Sequence, residues 1–280
     1  MADLAVKALA QNINFITRFE NDYHNLLELL GKTTVEMLSP GTAYKMYKTS
    51  GTLSSGKVGE KQLIPDSDIS MKDVEIAEIE YSKYRNLTSI EKIGKQGYEI
   101  AVGKTNAKIQ KDIVAGIRKT IYAGIEKGTG EAKVPKGKGF QQQVAKAAAF
   151  IATKFEDEGH TPVIFANPDD VYTYLGEKPI TVEAAFGISY LSNFMGIGNV
   201  IMDSNIAQGT VIGTACENLD VVAPNISEIP GMDLTTDETG MVAIHNGAKY
   251  ENAAIETVAY CGLAVYPTYL DRIVKVTVTA

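Results

Sequence analysis

Residues 51–70, GTLSSGKVGEKQLIPDSDIS, form a long polar segment between two stretches that are predicted to be strands. The segment contains four glycines or prolines, five serines or threonines and few apolar residues. A hairpin usually needs only about two to five connecting residues. Because about twenty residues lie here, the sequence predicts an extended loop in place of a tight turn.

The strands on either side of this loop are predicted from the alternation of their side chains. AYKMYKTS (residues 43–50) precedes the loop, and DVEIAEIEYSKYRNLTS (residues 73–89) follows it. The second stretch changes phase near Ile76–Ala77, which predicts a β-bulge. It is also rich in charged side chains: Glu75, Glu78, Glu80, Lys83 and Arg85. We therefore expect it to have no sheet face to bury within one subunit.

Two helices are predicted on either side of this unit. Apolar residues from Phe15 to Leu30 have helical spacing and Gly31 follows as a stop. Residues 1–14 show no clear period, so we expect a short helix on an otherwise loose amino-terminal arm. A long helix is predicted over 90–127, where isoleucine recurs every four residues at Ile109, Ile113, Ile117, Ile121 and Ile125. A bend or break is expected in its first half because helix-weakening glycines occur there: Gly94, Gly97 and Gly103.

The remaining sequence predicts mixed helices and strands. The pattern indicates a flexible basic loop at 128–139, a helix at 141–157, a strand, a turn and a short helix at 161–176, and a helix at 182–196. Short strands follow (NVIMD, GTVIGTA and LDVVA), and the final forty residues read as strands separated by Asn246-Gly247, Cys261-Gly262 and Tyr266-Pro267. The fold class is therefore α+β, with a middle block of about 140–240 inserted into a second unit.

Composition excludes several classes of protein. The chain has 280 residues, 45% of them hydrophobic, and a formal net charge of −7. Such acidity disfavours a dedicated DNA- or RNA-binding protein. Its two cysteines, Cys216 and Cys261, lie in apolar surroundings and are predicted to be buried free thiols. The sequence has neither the pattern of a signal peptide nor an apolar run of membrane-spanning length, so we expect synthesis in the cytoplasm.

No recognisable pattern of catalytic, cofactor-binding or metal-binding residues is found in the sequence. The three histidines, His24, His160 and His245, have neighbours typical of surfaces and turns, and no zinc-ligand spacing occurs. Asp203, Ser204 and His245 could be combined into a triad, but nothing in the sequence brings them together. The lysines of the 128–139 loop (Lys133, Lys136 and Lys138) and the carboxylates Asp66, Asp68 and Asp73 are interpreted as solvated side chains. Extended elements without a catalytic pattern are typical of an assembly subunit, which buries its surfaces on copies of itself.

The order of these parts resembles the major capsid proteins of tailed bacteriophages, which have the HK-ninety-seven-like fold that encapsulins share. The resemblance spans nearly the whole chain, and it is clearest in FMGIGNVIMDSNIAQGTVIGTA, VIFANPDDVYTYL and AIETVAYCGLAVYPTYLDRIVKVTV. It implies four parts: an amino-terminal arm (1–38), an extended β-hairpin loop (39–89), a peripheral domain with a long spine helix (90–139 and 246–280) and an axial domain (140–245).

The resemblance also implies a function without catalysis, cofactor or metal. Copies would form pentamers and hexamers of an icosahedral virion shell around double-stranded DNA, assembled in the bacterial cytoplasm with a separate scaffolding protein and a portal protein. The extended loop would lie across a neighbouring subunit, with residues 49–73 mobile in the isolated subunit and ordered in the shell. Some members cross-link a loop lysine; Lys57 and Lys61 lie in that loop, but no partner asparagine or glutamate can be matched, so no cross-link is expected. An encapsulin-type cargo shell and an α+β enzyme with an unrecognised site are the alternatives.

Overall fold

The computed structural model describes residues 2–32, 35–39, 41–52, 54, 57–60, 62–78, 81–135, 139–156, 159–176, 180–185, 187–229, 231 and 233–278. For residues 2–5, 45–50 and 71–78 only the backbone is described. No helix in this part of the chain is both long and apolar enough to cross a membrane.

The described residues form five α-helices and sixteen strands. The helices are α1 (Ala2–Leu29), α2 (Ile90–Gln96), α3 (Tyr98–Glu126), α4 (Phe140–Lys154) and α5 (Pro168–Leu175). The strands of the first half are β1 (Glu36–Leu38), β2 (Ala43–Thr52), β3 (Asp68–Glu78), β4 (Ser82–Ser89), β5 (Gly130–Val134), β6 (Pro162–Ala166), β7 (Glu183–Ala185) and β8 (Ile188–Phe194). Those of the second half are β9 (Gly198–Met202), β10 (Thr210–Ala215), β11 (Leu219–Pro224), β12 (Thr235–Thr236), β13 (Val242–Lys249), β14 (Ala254–Cys261), β15 (Ala264–Pro267) and β16 (Val274–Val278).

These strands form four sheets within the described residues. The largest has the order β5-β16-β10-β6-β9-β8-β7, and the others are β12-β13-β14-β4, β1-β11-β15 and the two-stranded β2-β3. Three strand pairs are parallel (β5 with β16, β6 with β9, and β1 with β11), and the other pairs are antiparallel. The architecture is therefore the predicted α+β mixture.

The amino-terminal helix differs from the expected loose arm. It is 28 residues long and starts at Ala2. From Phe15 onward it contributes a row of buried side chains to the main core, which Leu30 continues just after the helix ends: Phe15, Ile16, Phe19, Tyr23, Leu26, Leu27 and Leu29. The prediction of a short helix was wrong. In the first half of α1 the buried residue is the polar Asn12, whereas Val6, Leu9 and Ile13 are exposed. The sequence there therefore lacks the apolar periodicity that indicates a helix.

The predicted long helix forms and is interrupted within its first half, as expected. Gly97 separates α2 from α3 with φ +82°, a conformation that glycine adopts without steric cost. The five isoleucines of the predicted stripe are all buried. At 1.5 Å per residue, α3 alone is about 43 Å long.

Three other local predictions were wrong. Residues 130–134 of the expected basic loop form β5, which pairs in parallel with β16. The expected helix at 182–196 is the hairpin β7–β8, with Gly187 at φ +64° between the two strands. Asn246 and Gly247 are not a turn but lie within β13; the turn to β14 follows at Tyr250–Asn252.

Two main hydrophobic clusters stabilise the chain. The larger cluster joins α1 and α3 to the four- and three-stranded sheets, and the smaller joins α4 and α5 to the seven-stranded sheet. The seven-stranded sheet combines the flanking strands β5 and β16 with strands of the middle block. The division into an arm, an extended loop, a peripheral domain and an axial domain stays a prediction.

Candidate assembly surfaces

The strands β2 and β3 form an antiparallel ribbon that belongs to no larger sheet among the described residues. Their register runs from Ala43 opposite Glu78 to Thr52 opposite Asp68. Met46 pairs with Glu75 and Tyr47 with Asp73, so Val74 is the extra residue of a bulge. The predicted bulge therefore exists, but it lies two residues before Ile76.

At the far end of the ribbon the two sides of the loop contact each other closely. A Cβ on Gly51 would lie 2.2 Å from the carbonyl oxygen of Asp68, so only glycine fits at this close approach. Beyond the last strand pair, the Ser54 hydroxyl donates to the Asp66 carbonyl oxygen at 2.6 Å, and the Ser54 amide donates to the Ser67 hydroxyl at 3.0 Å. The two sides of the loop thus remain together past the end of the ladder.

The ribbon end carries exposed apolar side chains. Leu63 is 92% exposed and Ile64 is 73% exposed, and Val58 and Ile69 are also exposed. Large apolar residues rarely form such a group at the surface of a monomer without a binding role. At its base, the ribbon is attached to the body where Tyr44 stacks on Tyr266, with ring centroids 6.0 Å apart. Burial, with the nearby Asp220 and Glu36 carboxylates, raises the pKa of Tyr44 and keeps its hydroxyl neutral.

A second surface is the cleft between α1 and α3, which we name the arm–spine cleft. It has a volume of about 320 Å³ and is lined mainly by polar side chains: Gln11, Asn14, Arg18, Glu99, Lys104 and Asn106. Asn106 is 5% exposed, and neither its amide nitrogen nor its amide oxygen has a hydrogen-bond partner among the described residues. At one end of the cleft, Gln110 Nε2 donates to Asp22 Oδ2 at 2.6 Å and joins the two helices.

A third surface is the cavity between α1 and β13, of about 390 Å³, lined by Leu9, Asn12, Tyr98, His245 and Tyr250 among others. Its floor is a polar network: Asn246 Nδ2 donates to Asn12 Oδ1 at 2.7 Å, and Asn12 Nδ2 donates to the Thr235 hydroxyl at 3.0 Å. The network holds the arm helix against the four-stranded sheet.

The residues considered for catalysis are not brought together. Asp203 follows β9 and its Oδ1 accepts hydrogen bonds from Asn205, whereas His245 lies on β13 in another sheet. No hydrogen bond among the described residues joins Asp203, Ser204 and His245. Within the described ranges no group of three or more His, Cys, Asp or Glu side chains could hold a metal ion.

The remaining predicted positions are placed as follows. Lys57 is exposed on the loop, and Lys133 is exposed on β5. Lys61, Lys136 and Lys138 lie outside the described residues. Cys216 and Cys261 are free and buried, as predicted, and burial raises the pKa of both thiols.

The arm–spine cleft was not anticipated, because its two walls are more than eighty residues apart in the chain.

Over most of its length, the chain has the HK-ninety-seven-like fold that is found in solved structures of phage capsids and encapsulins. The capsid of a native GTA particle matches 91% of this chain and 90% of its own, with 9% identity and a TM-score of 0.60. The holo-SrpI encapsulin complex from Synechococcus elongatus matches 90% and 86%, with 9% identity and a TM-score of 0.54. The capsid of cyanophage P-SCSP1u matches 90% and 88%, with 12% identity and a TM-score of 0.53. No protein-family model and no curated protein sequence matches the chain.

Proposed function

We propose that this chain is the major capsid protein of a tailed bacteriophage. Copies assemble into pentamers and hexamers, which close into an icosahedral shell around double-stranded DNA. One observation carries the proposal: a chain with a capsid fold projects the β2–β3 ribbon out of its own sheets, with Leu63 and Ile64 exposed at the far end.

The ribbon supports this proposal because an isolated two-stranded hairpin is marginally stable in water. Each of its strands has a free edge, and its exposed apolar side chains are not covered by the described part of the same chain. In the proposed shell, a neighbouring copy supplies the missing contact. The ribbon would then be mobile in the isolated subunit and ordered after assembly.

The shell gains its strength from many subunit interfaces, each with an apolar centre and a polar rim. The net charge of −7 limits adhesion of packaged DNA to the inner wall. Maturation would be a switch between two packings of the same subunit. In this proposal the function needs no catalysis, the scaffolding and portal proteins are separate chains, and Lys57 and Lys61 form no cross-link.

An encapsulin-type shell is the second candidate. It is favoured by the similarity to the Synechococcus elongatus encapsulin complex, whose TM-score is close to that of the cyanophage capsid. The contents of the particles distinguish the two functions, because one shell holds DNA and the other holds protein.

The test is negative-stain electron microscopy of the purified full-length protein, followed by analysis of particles isolated from their native source. We expect closed shells, and we expect native particles to contain double-stranded DNA that resists nuclease. Shells that contain protein cargo and no DNA would support the encapsulin function. Single small particles at high concentration would contradict both.

A further inference from the structure

We propose that a basic surface on β4, α2 and α3 contacts the phosphate backbone of the packaged double-stranded DNA. We name this surface the basic strip, and its members are Arg85 on β4, Lys92 on α2, and Lys104 and Lys108 on α3. The inference rests on the proposed function, and it adds the place at which the shell meets its contents. In the closed shell the basic strip would therefore face the lumen.

Charge is distributed unevenly along the chain. Residues 82–120, which run from β4 through most of α3, contain nine lysines and arginines against three aspartates and glutamates, a net charge of +6. The rest of the chain contains eighteen basic and thirty-one acidic residues, a net charge of −13. A basic segment within an acidic chain indicates a polyanionic partner such as nucleic acid.

The basic strip surrounds a cleft of about 370 Å³ between β4 and α3. Hydrogen bonds fix the two walls of this cleft to each other. The Tyr84 hydroxyl donates to the carbonyl oxygen of Asp112 at 3.3 Å, and Asn86 Nδ2 donates to the Thr105 hydroxyl at 3.3 Å. The hydroxyls of Thr88 and Thr105 lie 3.2 Å apart in a third hydrogen bond. The backbone that carries the basic side chains is therefore held in a fixed arrangement.

The cations of the cleft are only partly neutralised. Of the described residues that line it, Asp112 alone is a carboxylate, against four basic side chains. Arg85 and Lys108 each form an ion pair, and their side chains are still 55% and 71% exposed. Lys92 and Lys104 are exposed and form no ion pair with another described residue. Because these like charges repel one another, an anionic partner is favoured in the cleft.

Exposed lysines continue along one face of α3. Lys104, Lys108 and Lys111 occupy positions i, i+4 and i+7, which share a helix face. At 1.5 Å per residue they span about 10 Å, a length over which a DNA duplex presents about six phosphate charges. Lys104 also lines the arm–spine cleft with Arg18, so the basic surface extends onto α1.

A phosphate backbone fits the basic strip better than an acidic surface on a second copy of the chain. Protein interfaces are depleted in lysine and usually bury an apolar centre, whereas three of the four members of the strip are lysines. Lysine and arginine supply the phosphate contacts that hold DNA without reading its sequence. Because the rest of the chain is acidic and repels DNA, adhesion would be confined to the strip.

The test is DNA binding by the full-length protein, at concentrations below those at which shells form. The probe is a short fluorescent DNA duplex, and its anisotropy is measured at several salt concentrations. In the variant Lys92→Gln with Lys104→Gln we expect the affinity to fall about tenfold. The slope of log affinity against log salt should also become shallower by about two, because each lysine that contacts a phosphate displaces about one counterion.

A matched control is Lys133→Gln with Lys146→Gln. These lysines are exposed on β5 and α4, and neither lines the cleft, so the control removes the same charge from another part of the chain. We expect its affinity to change by less than about twofold and its salt slope to stay that of the parent protein. Equal losses in the two variants would show an effect of net charge and would overturn the inference.

Failure of the inference and failure of the proposed function give different results, because assembly is scored separately by electron microscopy. A parent protein that forms shells but binds the duplex no better than Lys92→Gln with Lys104→Gln would overturn the inference alone. A parent protein that forms no shells would overturn the proposed function. If this variant binds the duplex normally but no longer assembles, the basic strip contacts a second copy and the inference fails. Closed shells that bind added duplex through the strip would contradict its orientation towards the lumen.

Discussion

The side-chain amide of Asn246, on β13, donates a hydrogen bond to Asn12 Oδ1, on α1, at 2.7 Å. The two residues are 234 positions apart, and Asn12 is 5% exposed and Asn246 4% exposed. Asn246 Oδ1 also accepts a hydrogen bond from the Thr257 hydroxyl of β14. One buried polar network therefore attaches the beginning of the chain to strands near its end.

The substitution Asn12→Ala should destabilise the subunit. It leaves the buried Asn246 donor and the Thr235 hydroxyl without their partner, and such a loss costs about 1–3 kcal/mol. Urea unfolding monitored by circular dichroism measures the difference. Asn25→Ala, at an exposed asparagine of the same helix, is the control and should change the free energy of unfolding much less. Equal effects of the two substitutions would show that the network does not stabilise α1.

Truncation of the arm helix core should be more costly. Phe19 is fully buried, so Phe19→Ala is expected to destabilise the subunit by about 3–5 kcal/mol. Ile13 is half exposed on the same helix, and Ile13→Ala should cost less than about 0.5 kcal/mol. Thermal and urea unfolding would compare the two. A Phe19→Ala variant as stable as the parent protein would contradict the packing of α1 in the main core and would favour the loose arm that the sequence predicted.

The break between α2 and α3 gives a pair of substitutions with opposite signs. Gly97 has φ +82° and open space around it, so Gly97→Ala should cost about 1–3 kcal/mol through its backbone alone. Gly94 lies within α2, also in open space, and Gly94→Ala should stabilise by about 0.5–1 kcal/mol. Unfolding curves that shift in the same direction would argue against the observed break.

Tyr23 should contribute to a loss of stability at alkaline pH. Burial, with a smaller effect of the Asp237 charge, raises the pKa of Tyr23 to about 12 in the folded chain, whereas an unfolded tyrosine titrates near about 10. The folded state then binds the proton more tightly, so this stability is present below about pH 10 and is lost as the pH rises towards about 12. The free energy of unfolding, measured with urea at several pH values, should fall less steeply between about pH 10 and 12 in Tyr23→Phe than in the parent protein. The difference between the two proteins at pH 7 serves as the reference. Parallel profiles for the two proteins would contradict the assignment.

The sequence predicted elements whose side-chain pattern is local. The isoleucine stripe of α3, the strand and Asn167-capped helix at 162–175, and the long polar loop were all recognisable because periodicity and turn residues report on neighbours in the chain. The elements that were missed depend on distant partners. Asn246-Gly247 has the local pattern of a turn, but its asparagine is paired by Asn12 and Thr257 and remains in a strand.

The difference between local patterns and distant partners also explains which candidate surfaces could be predicted from the sequence. The ribbon could be predicted because its strands and loop, residues 43–78, are contiguous in the chain. The expectation that residues 73–89 have no sheet to join within one subunit was wrong for residues 82–89, because they form β4, which pairs with β14 in the four-stranded sheet. The segment 182–196 was wrongly predicted as a helix because its local pattern does not report on the seven-stranded sheet, which determines its conformation. The arm–spine cleft was beyond prediction, because Arg18 and Asn106 become neighbours of one cavity only after α1 packs on α3.

We propose that this chain completes its burial only against identical copies. The mass distribution of the purified full-length protein across a range of concentrations, measured by sedimentation velocity, tests it most directly. We predict closed particles of megadalton mass and narrow size that grow in population as the concentration rises. A single species of 30.2 kDa at every concentration would contradict the claim.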